Sequence, residues 1–309
     1  MRQRVILDVD TGVDDALAII LAVRSPELEV LGITTVSGNV PVLRCTANTL
    51  LVLEVLEAPD IPVVSGAAAP LVKAAFTAAE VHGEDGLGNV TTRYPTPDRQ
   101  ATQGAVEFLL EMIRRFPGQL TLVATAPLTN VAMAIREDRE GMRGLHGITV
   151  MGGAIRVQGN VGPTTEFNFA VDPEAAAIVL SAGLPIRLIP LDVTEQVVLS
   201  RGTVEEAKGS GKVQAFIHDI TAATMAFHRT HEGFDGMFLH DPLAVGVVVD
   251  PSLVCAQPMA VVVEQQGGLT AGMAVADLRR RSRAPQTAAV CTEVESARFL
   301  HLFAQRVLY

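Results

Sequence analysis

The sequence predicts an α/β fold: a mostly parallel central sheet with helices on both faces and an additional strand region near the C-terminus. Three observations predict it. Short apolar runs alternate with segments of helical periodicity along most of the chain. The runs are continuous in Val, Ile and Leu instead of alternating with polar residues, as strands buried on both faces require. The 309 residues are 49% hydrophobic with a mean hydropathy of +0.33, enough apolar material for a large core.

Residues 5–9 are Val, Ile and Leu interrupted only by Asp8 and read as a buried strand; 14–24 follows as a helix. The β-branched stretch 30–36 is the next strand, 43–57 the next helix, and 61–64 a short strand. In 103–116 apolar residues recur at Val106, Leu109, Leu110 and Ile113, the spacing of a helix, which Pro117-Gly118 stops. Strand 120–125, helix 128–137 and strand 148–151 continue the alternation. The Ala-rich helix 173–182 ends at Gly183 and leads to strand 186–190. The last third changes character. Residues 213–232 and 242–249 read as helices, while 253–264, 271–278 and 287–294 read as strands with turns between them. Gly267-Gly268 is a hairpin-type turn, and 295–308 is a closing helix. No linker or internal repeat interrupts the chain, so a single domain over 1–309 is expected.

A parallel sheet of this kind binds ligands at the carboxyl ends of its strands. Four strand ends carry polar or glycine-rich turns: Asp10-Thr11-Gly12, Ser37-Gly38-Asn39, Thr125-Ala126-Pro127 and Met151-Gly152-Gly153.

Composition narrows the ligand. Net charge is −10, with 24 Lys+Arg against 34 Asp+Glu, so polyanions are repelled over most of the surface. Aromatics are 4% with no Trp, too few for a nucleic-acid stacking platform. A neutral small molecule or a metal cation suits the balance better. The 3 cysteines, Cys45, Cys255 and Cys291, are scattered in apolar runs, so buried free thiols and a reducing compartment are expected. No signal peptide or apolar run of membrane-spanning length is evident, and a cytoplasmic protein is expected.

The most pointed segment is Asp8-Val9-Asp10-Thr11-Gly12-Val13-Asp14-Asp15, four carboxylates in eight positions at a strand-to-helix junction. Capping and the helix dipole account for Asp14 and Asp15. They do not account for Asp8 and Asp10 at the end of an apolar strand. Like charges so close raise one another's pKa unless a cation neutralises them, and an oxygen-only set suits Ca²⁺ or Mg²⁺.

This segment resembles the N-terminal signature of the inosine-uridine-preferring nucleoside hydrolase family. Ser37-Gly38-Asn39, His82-Gly83-Glu84-Asp85-Gly86-Leu87 and Ala124-Thr125-Ala126-Pro127-Leu128-Thr129-Asn130 follow in the family's order. So do Met151-Gly152-Gly153, Asn160 with Glu166-Phe167-Asn168, and Phe238-Leu239-His240-Asp241-Pro242. The resemblance implies hydrolysis of the N-glycosidic bond of ribonucleosides through an oxocarbenium-like transition state. It implies Ca²⁺ held by Asp10, Asp15, Asp241 and the carbonyl of Thr125, with Asp10 as the base that takes a proton from water. It implies ribose held by Asp14, Asn39, Asn160, Glu166 and Asn168, with Met151 and Phe167 beside the substrate. His240, with His82 as a possible partner, is the implied acid at the leaving base. On the helix over 213–232, Thr224, His228 and Glu232 recur at one-turn spacing, and His228 is a candidate base contact. A homodimer or homotetramer is implied.

Each motif read alone has a plainer meaning. Asn39 and Asn160 suit turns beside Gly38 and Gly159. Glu166-Phe167-Asn168 suits a loop, and Asp241 before Pro242 suits a helix N-cap. Two other functions also start from an Asp-x-Asp strand end or an acidic site. A haloacid-dehalogenase-type phosphohydrolase needs a lysine near the phosphate, yet Lys73, Lys208 and Lys212 all lie away from strand ends. A non-catalytic calcium- or nucleoside-binding protein would have no need of His240 at the leaving-group end.

Overall fold

Continuous apolar runs become interior strands because only a sheet covered on both faces removes both sets of side chains from water. The computed structural model describes residues 2–58, 60–95, 97, 99–207, 209, 211–279 and 284–309. Its strands are β1 (Gln3–Val9), β2 (Leu28–Thr35), β3 (Val63–Ser65), β4 (Thr102–Gln103), β5 (Leu120–Ala124), β6 (Gly147–Met151) and β7 (Ile186–Ile189). They continue with β8 (Val198–Ser200), β9 (Gly236–Phe238), β10 (Val254–Met259), β11 (Val261–Val263), β12 (Ala274–Ala276) and β13 (Ala288–Val294). Nine form one sheet in the order β10-β13-β7-β6-β5-β1-β2-β3-β4. Every pairing in it is parallel except β10 with β13. The chain order runs one way from β1 to β4 and the other way from β5 to β7. The crevice between β1 and β5 is therefore the topological switch point, and the two strands leave Asp10 and Thr125 at its mouth.

The helices are α1 (Val13–Arg24), α2 (Val42–Val55), α3 (Ala79–His82), α4 (Ala105–Arg115), α5 (Thr129–Glu137), α6 (Arg139–Met142) and α7 (Phe167–Val171). After them come α8 (Pro173–Leu180), α9 (Leu191–Thr194), α10 (Arg201–Ala207), α11 (Lys212–His231), α12 (His240–Val249) and α13 (Ser296–Phe303). Two apolar clusters cover the sheet. One joins α1, α2, α11, α12 and α13; the other joins α4, α5 and α8. Helix α1 is apolar nearly all round because it runs through the first cluster. Its Leu17, Ile19, Ile20 and Leu21 are fully buried, each worth roughly 1.5–3 kcal/mol. That anchorage fixes the helix whose first turn carries Asp14 and Asp15.

The expected α/β architecture holds, with corrections. The expected strand 253–264 is two strands. β10 pairs with β13 at the sheet edge, whereas β11 pairs antiparallel with β12 in a separate ribbon whose loop contains Gly267-Gly268. The expected strand 271–278 is ordered as strand only over Ala274–Ala276. Cys45 and Cys291 are buried free thiols, but Cys255 is exposed, because its edge strand turns that face to solvent. The long closing helix ends in a wider π-type turn over Ala304–Leu308. Glu166-Phe167-Asn168 is not a loop; it starts α7. Asp241 is not an N-cap, since Leu239 caps α12 and Asp241 lies within its first turn. Lys208 lies outside the described residues.

Candidate active site

The floor of the site is built where β1 ends. Gly12 caps α1, and its N–H donates to Oδ2 of Asp15 at 3.0 Å. No side chain fits at Gly12, where a Cβ would lie 2.7 Å from Nδ1 of His82. Gly38 is as tightly held: a Cβ there would lie 2.0 Å from Oδ2 of Asp10. The β2 turn thereby brings Asn39 over both carboxylates. Its backbone N–H donates to Asp10 Oδ2 at 2.7 Å and its Nδ2 to Asp15 Oδ2 at 3.1 Å. From the end of β5, the Thr125 hydroxyl donates to Asp15 Oδ1 at 3.1 Å. Asp8 supports this floor from below, accepting from Thr34 Oγ1 at 2.6 Å and Asn130 Nδ2 at 2.8 Å.

Asp14, Asp15 and Asp241 bring carboxylate oxygens within 4.8 Å of one another, a grouping that can hold a metal ion. Asp10 lies outside that group, yet its Oδ1 is buried with no hydrogen-bond partner. None of the ion pairs among the described residues reaches these four acids. Burial, then the charge of Asp15, pushes Asp10 well above the usual carboxylate range. Burial and the neighbouring Asp14 do the same to Asp241. Asp15 rises to about 6 through burial and Asp14. Burial also raises Asp14, but a hydrogen bond from Asp241 holds it back.

Above the floor lies a cavity of about 430 Å³. Of the residues expected from sequence, Asp14, Asn39, His82, Thr125, Met151, Asn160, Glu166, Phe167, Asn168, His228, His240 and Asp241 line it. Asp10 and Asp15 do not; they are buried beneath it, 1% and 0% exposed. Glu166 caps α7 through Asn168 N at 2.7 Å and Phe169 N at 3.2 Å, and also accepts from Gly153 N at 2.9 Å. Burial nonetheless raises it to about 7. Asn168 Nδ2 donates to the Thr125 carbonyl at 2.8 Å and lies 3.5 Å from the Met151 sulfur. Asn160 is both cavity wall and turn residue, its Oδ1 accepting from Phe167 N at 2.9 Å.

Three histidines mark the far end. His82 accepts the Val13 N–H on Nδ1 at 3.1 Å, and burial lowers its pKa to about 4. His240 Nδ1 is 2.7 Å from the Thr194 hydroxyl, and burial lowers its pKa to about 3, far from the near-neutral value a ready imidazolium needs. His228 stands 3.3 Å from the Gly236 carbonyl through Nδ1 and stacks on Phe234 with ring centres 5.1 Å apart. Thr224, His228 and Glu232 all face the cavity from α11 or its end, as their spacing predicts. Sequence reasoning missed Phe76, Glu195 and Phe227, which also line it. Phe227 lies one residue before His228 and was within reach. Phe76 and Glu195 sit in segments with no periodic signal.

Residues 5–301 match the family described as inosine-uridine preferring nucleoside hydrolase. The chain belongs to that family. It is 39% identical over 268 residues to uridine nucleosidase 1 of Arabidopsis thaliana, covering 86% of this chain and 79% of that one. It is 38% identical over 304 residues to the pyrimidine-specific ribonucleoside hydrolase RihA of Shewanella sp. strain ANA-3, covering 98% and 95%. A solved purine-preferring ribonucleoside hydrolase from Gardnerella vaginalis superimposes with a TM-score of 0.93 at 36% identity, covering 99% and 98%. The chain is thus a ribonucleoside hydrolase of the inosine-uridine-preferring family, and it cleaves the N-glycosidic bond of ribonucleosides. Both rival readings fall with this finding. The lysines agree: Lys73 and Lys212 are absent from the cavity lining, and Lys212 faces Glu57 at 3.9 Å.

Proposed function

We propose that the cavity binds ribose on its carboxylate floor and the nucleobase against α11, with Ca²⁺ held by Asp10, Asp15, Asp241 and the Thr125 carbonyl. The observation that carries this reading is the set of four buried acids with no cationic side chain beside them. Such a set must hold protons or a cation, and an all-oxygen site favours a hard ion. The buried, unpartnered Oδ1 of Asp10 is a ligand atom or base in search of a partner. When bound, the ion supplies a lowered pKa for the attacking water.

Asp10 would accept a proton from the attacking water, its Oδ1 having no other hydrogen-bond partner. Asp14, Glu166 and Asp241 accept hydrogen bonds from the ribose hydroxyls; Asn39, Asn160 and Asn168 complete the polar lining. Met151 and Phe167 pack beside the sugar. At the base end, His240 hands a proton to the leaving nucleobase, with His82 beside it. The contact of His240 Nδ1 with the Thr194 hydroxyl, in which either atom can donate, leaves Nε2 for the proton transfer. His228 contacts the base. Its Nδ1–H points at the Gly236 carbonyl, and the carboxylates of Glu195 and Glu232 add acceptors to the same wall. The relatives include pyrimidine-specific and purine-preferring enzymes, so base preference rests on this wall and not on kinship.

We also infer one catalytic domain over 1–309, a homodimer or homotetramer, and a cytoplasmic location. Three unpaired cysteines support the last. No helix among the described residues is long and apolar enough to cross a membrane.

Metal content and kinetics of two variants test the floor. Asp10→Ala should lose both bound Ca²⁺ and turnover. Asp14→Ala should keep the metal and lose ribose binding. The reverse pattern would replace Asp10 by Asp14 in the ligand set, as the grouping of Asp14, Asp15 and Asp241 allows.

A further inference from the structure

We propose a second site, for a phosphate group, at the end of the sheet opposite the catalytic floor. On the sheet face that packs against α1 and α12, Leu7, Val123, Met151 and Ile189 belong to the apolar core. Toward the amino ends of the same strands that face turns polar. Gln3 on β1 donates to the Thr121 hydroxyl on β5 at 2.9 Å, and Thr149 on β6 lies directly across from Arg187 on β7. Here the helical layer ends, at Val248 and Pro251, and a cleft of about 520 Å³ opens. It shares no lining residue with the catalytic cavity.

The chemistry of the cleft runs against that of the chain. The protein carries 34 acidic residues, yet none lines this cleft, which holds Arg187 and His146 among threonines and glutamines. Arg187 is half-buried and, among the described residues, its guanidinium makes no hydrogen bond or ion pair. Its nitrogens are not among the buried, unpartnered polar atoms, so water reaches them, and an arriving oxyanion can replace that water without opening the fold. Its planar fork matches a tetrahedral oxyanion through two parallel N–H bonds. Amide and hydroxyl donors from Gln3, Gln286 and Thr149 suit the remaining oxygens. The cleft is larger than a phosphate, with room for the alcohol part of a phosphate monoester. The ligand chemistry is therefore inorganic phosphate or a small phosphate monoester.

Titration calorimetry on the full chain tests this, with inorganic phosphate and ribose 5-phosphate as probes and saturating free ribose to occupy the catalytic cavity. Saturable binding of either probe is expected. A tighter ester identifies a phosphate monoester as the ligand; equal affinities identify free phosphate. Arg187→Gln should weaken binding at least about tenfold, the loss of a charge-assisted pair. His146→Gln, on an exposed residue whose change leaves the fold intact, should weaken it about two- to threefold. No saturable binding below about 10 mM, or wild-type affinity in both variants, overturns the site. So does the finding that phosphate fails to bind while Arg187→Gln dissociates an oligomer, which would mean that a carboxylate of a second copy is the true partner.

Discussion

The backbone N–H of Val13 donates to Nδ1 of His82 at 3.1 Å. One of the orphan amides at the start of α1 is thereby capped by a ring from α3, across 69 residues of sequence. The bond fixes the tautomer: Nδ1 is the acceptor, so the neutral ring carries its hydrogen on Nε2.

The folded pKa of His82, about 4, lies below the 6.5 of the unfolded residue. Between those values the unfolded chain binds a proton that the folded chain refuses. The stability this represents is present above pH 6.5 and lost as pH falls toward 4. Urea unfolding at pH 7 and 4.5 should show the wild type losing roughly 2–3 kcal/mol more than His82→Gln over that interval. Nitrogen NMR at pH 7 should find His82 as the Nε2–H tautomer. Equal pH slopes in the two proteins would remove the bond from the account.

Removal of metal should have a pH dependence of the opposite sign. Asp8 and Asp15 sit at about 6 and Glu166 at about 7 in the metal-free fold, all above their unfolded values. Between pH 4 and 7 the folded chain keeps protons that the unfolded chain releases, so the stability of metal-free protein falls as pH rises through that window. A cation competes with those protons. The rise in melting temperature on adding Ca²⁺ to chelator-treated protein should therefore be larger at pH 8 than at pH 5. Calorimetric scans that show a constant or shrinking difference would sink the idea.

The acid at the leaving group is open to a contrast of substrates. His240→Ala should slow natural ribonucleosides by about 10²–10⁴-fold and scarcely affect a nitrophenyl riboside, whose leaving group departs without a proton. Because burial holds His240 neutral, the proton it delivers is bound together with the substrate, and the wild-type rate should fall as pH rises. Equal losses on both substrates would assign His240 to binding.

Ribonucleosides should outpace 2′-deoxyribonucleosides by ~10⁴-fold in kcat/KM, because a site built to bond a hydroxyl is left with unpaired acceptors when it is missing. In the proposed placement of ribose those acceptors are Asp14, Glu166 and Asp241, all in the cavity lining. Comparable rates on uridine and deoxyuridine would move the ribose elsewhere.

Strands such as 5–9 and 120–125 were legible because burial on both faces leaves only apolar residues at most positions. β8 and β9 were not: each is three residues long and exists only through pairing with the other. α7 was hidden because its start depends on Glu166 accepting from its first turn, a bond that a Glu in a polar stretch does not announce. At the site, acids and amides clustered beside glycines stood out. The split between Asp14, facing the cavity, and Asp10, buried under it, did not, since it depends on how the turn between β1 and α1 folds. The neutral state of His240 was also invisible, because it comes from burial by distant segments.

The two halves of the cavity are mounted on different parts of the fold. The proposed sugar end hangs largely on strand ends pinned by the core, whereas Thr224, Phe227 and His228 come from one stretch of α11. That separation gives the scaffold evolvability. Substrate range can drift by substitutions in a single helical cassette while the bond-breaking groups keep their positions. Libraries confined to residues 224–232 should accordingly yield enzymes with new nucleoside preferences that retain full metal content and the wild-type rate on nitrophenyl riboside.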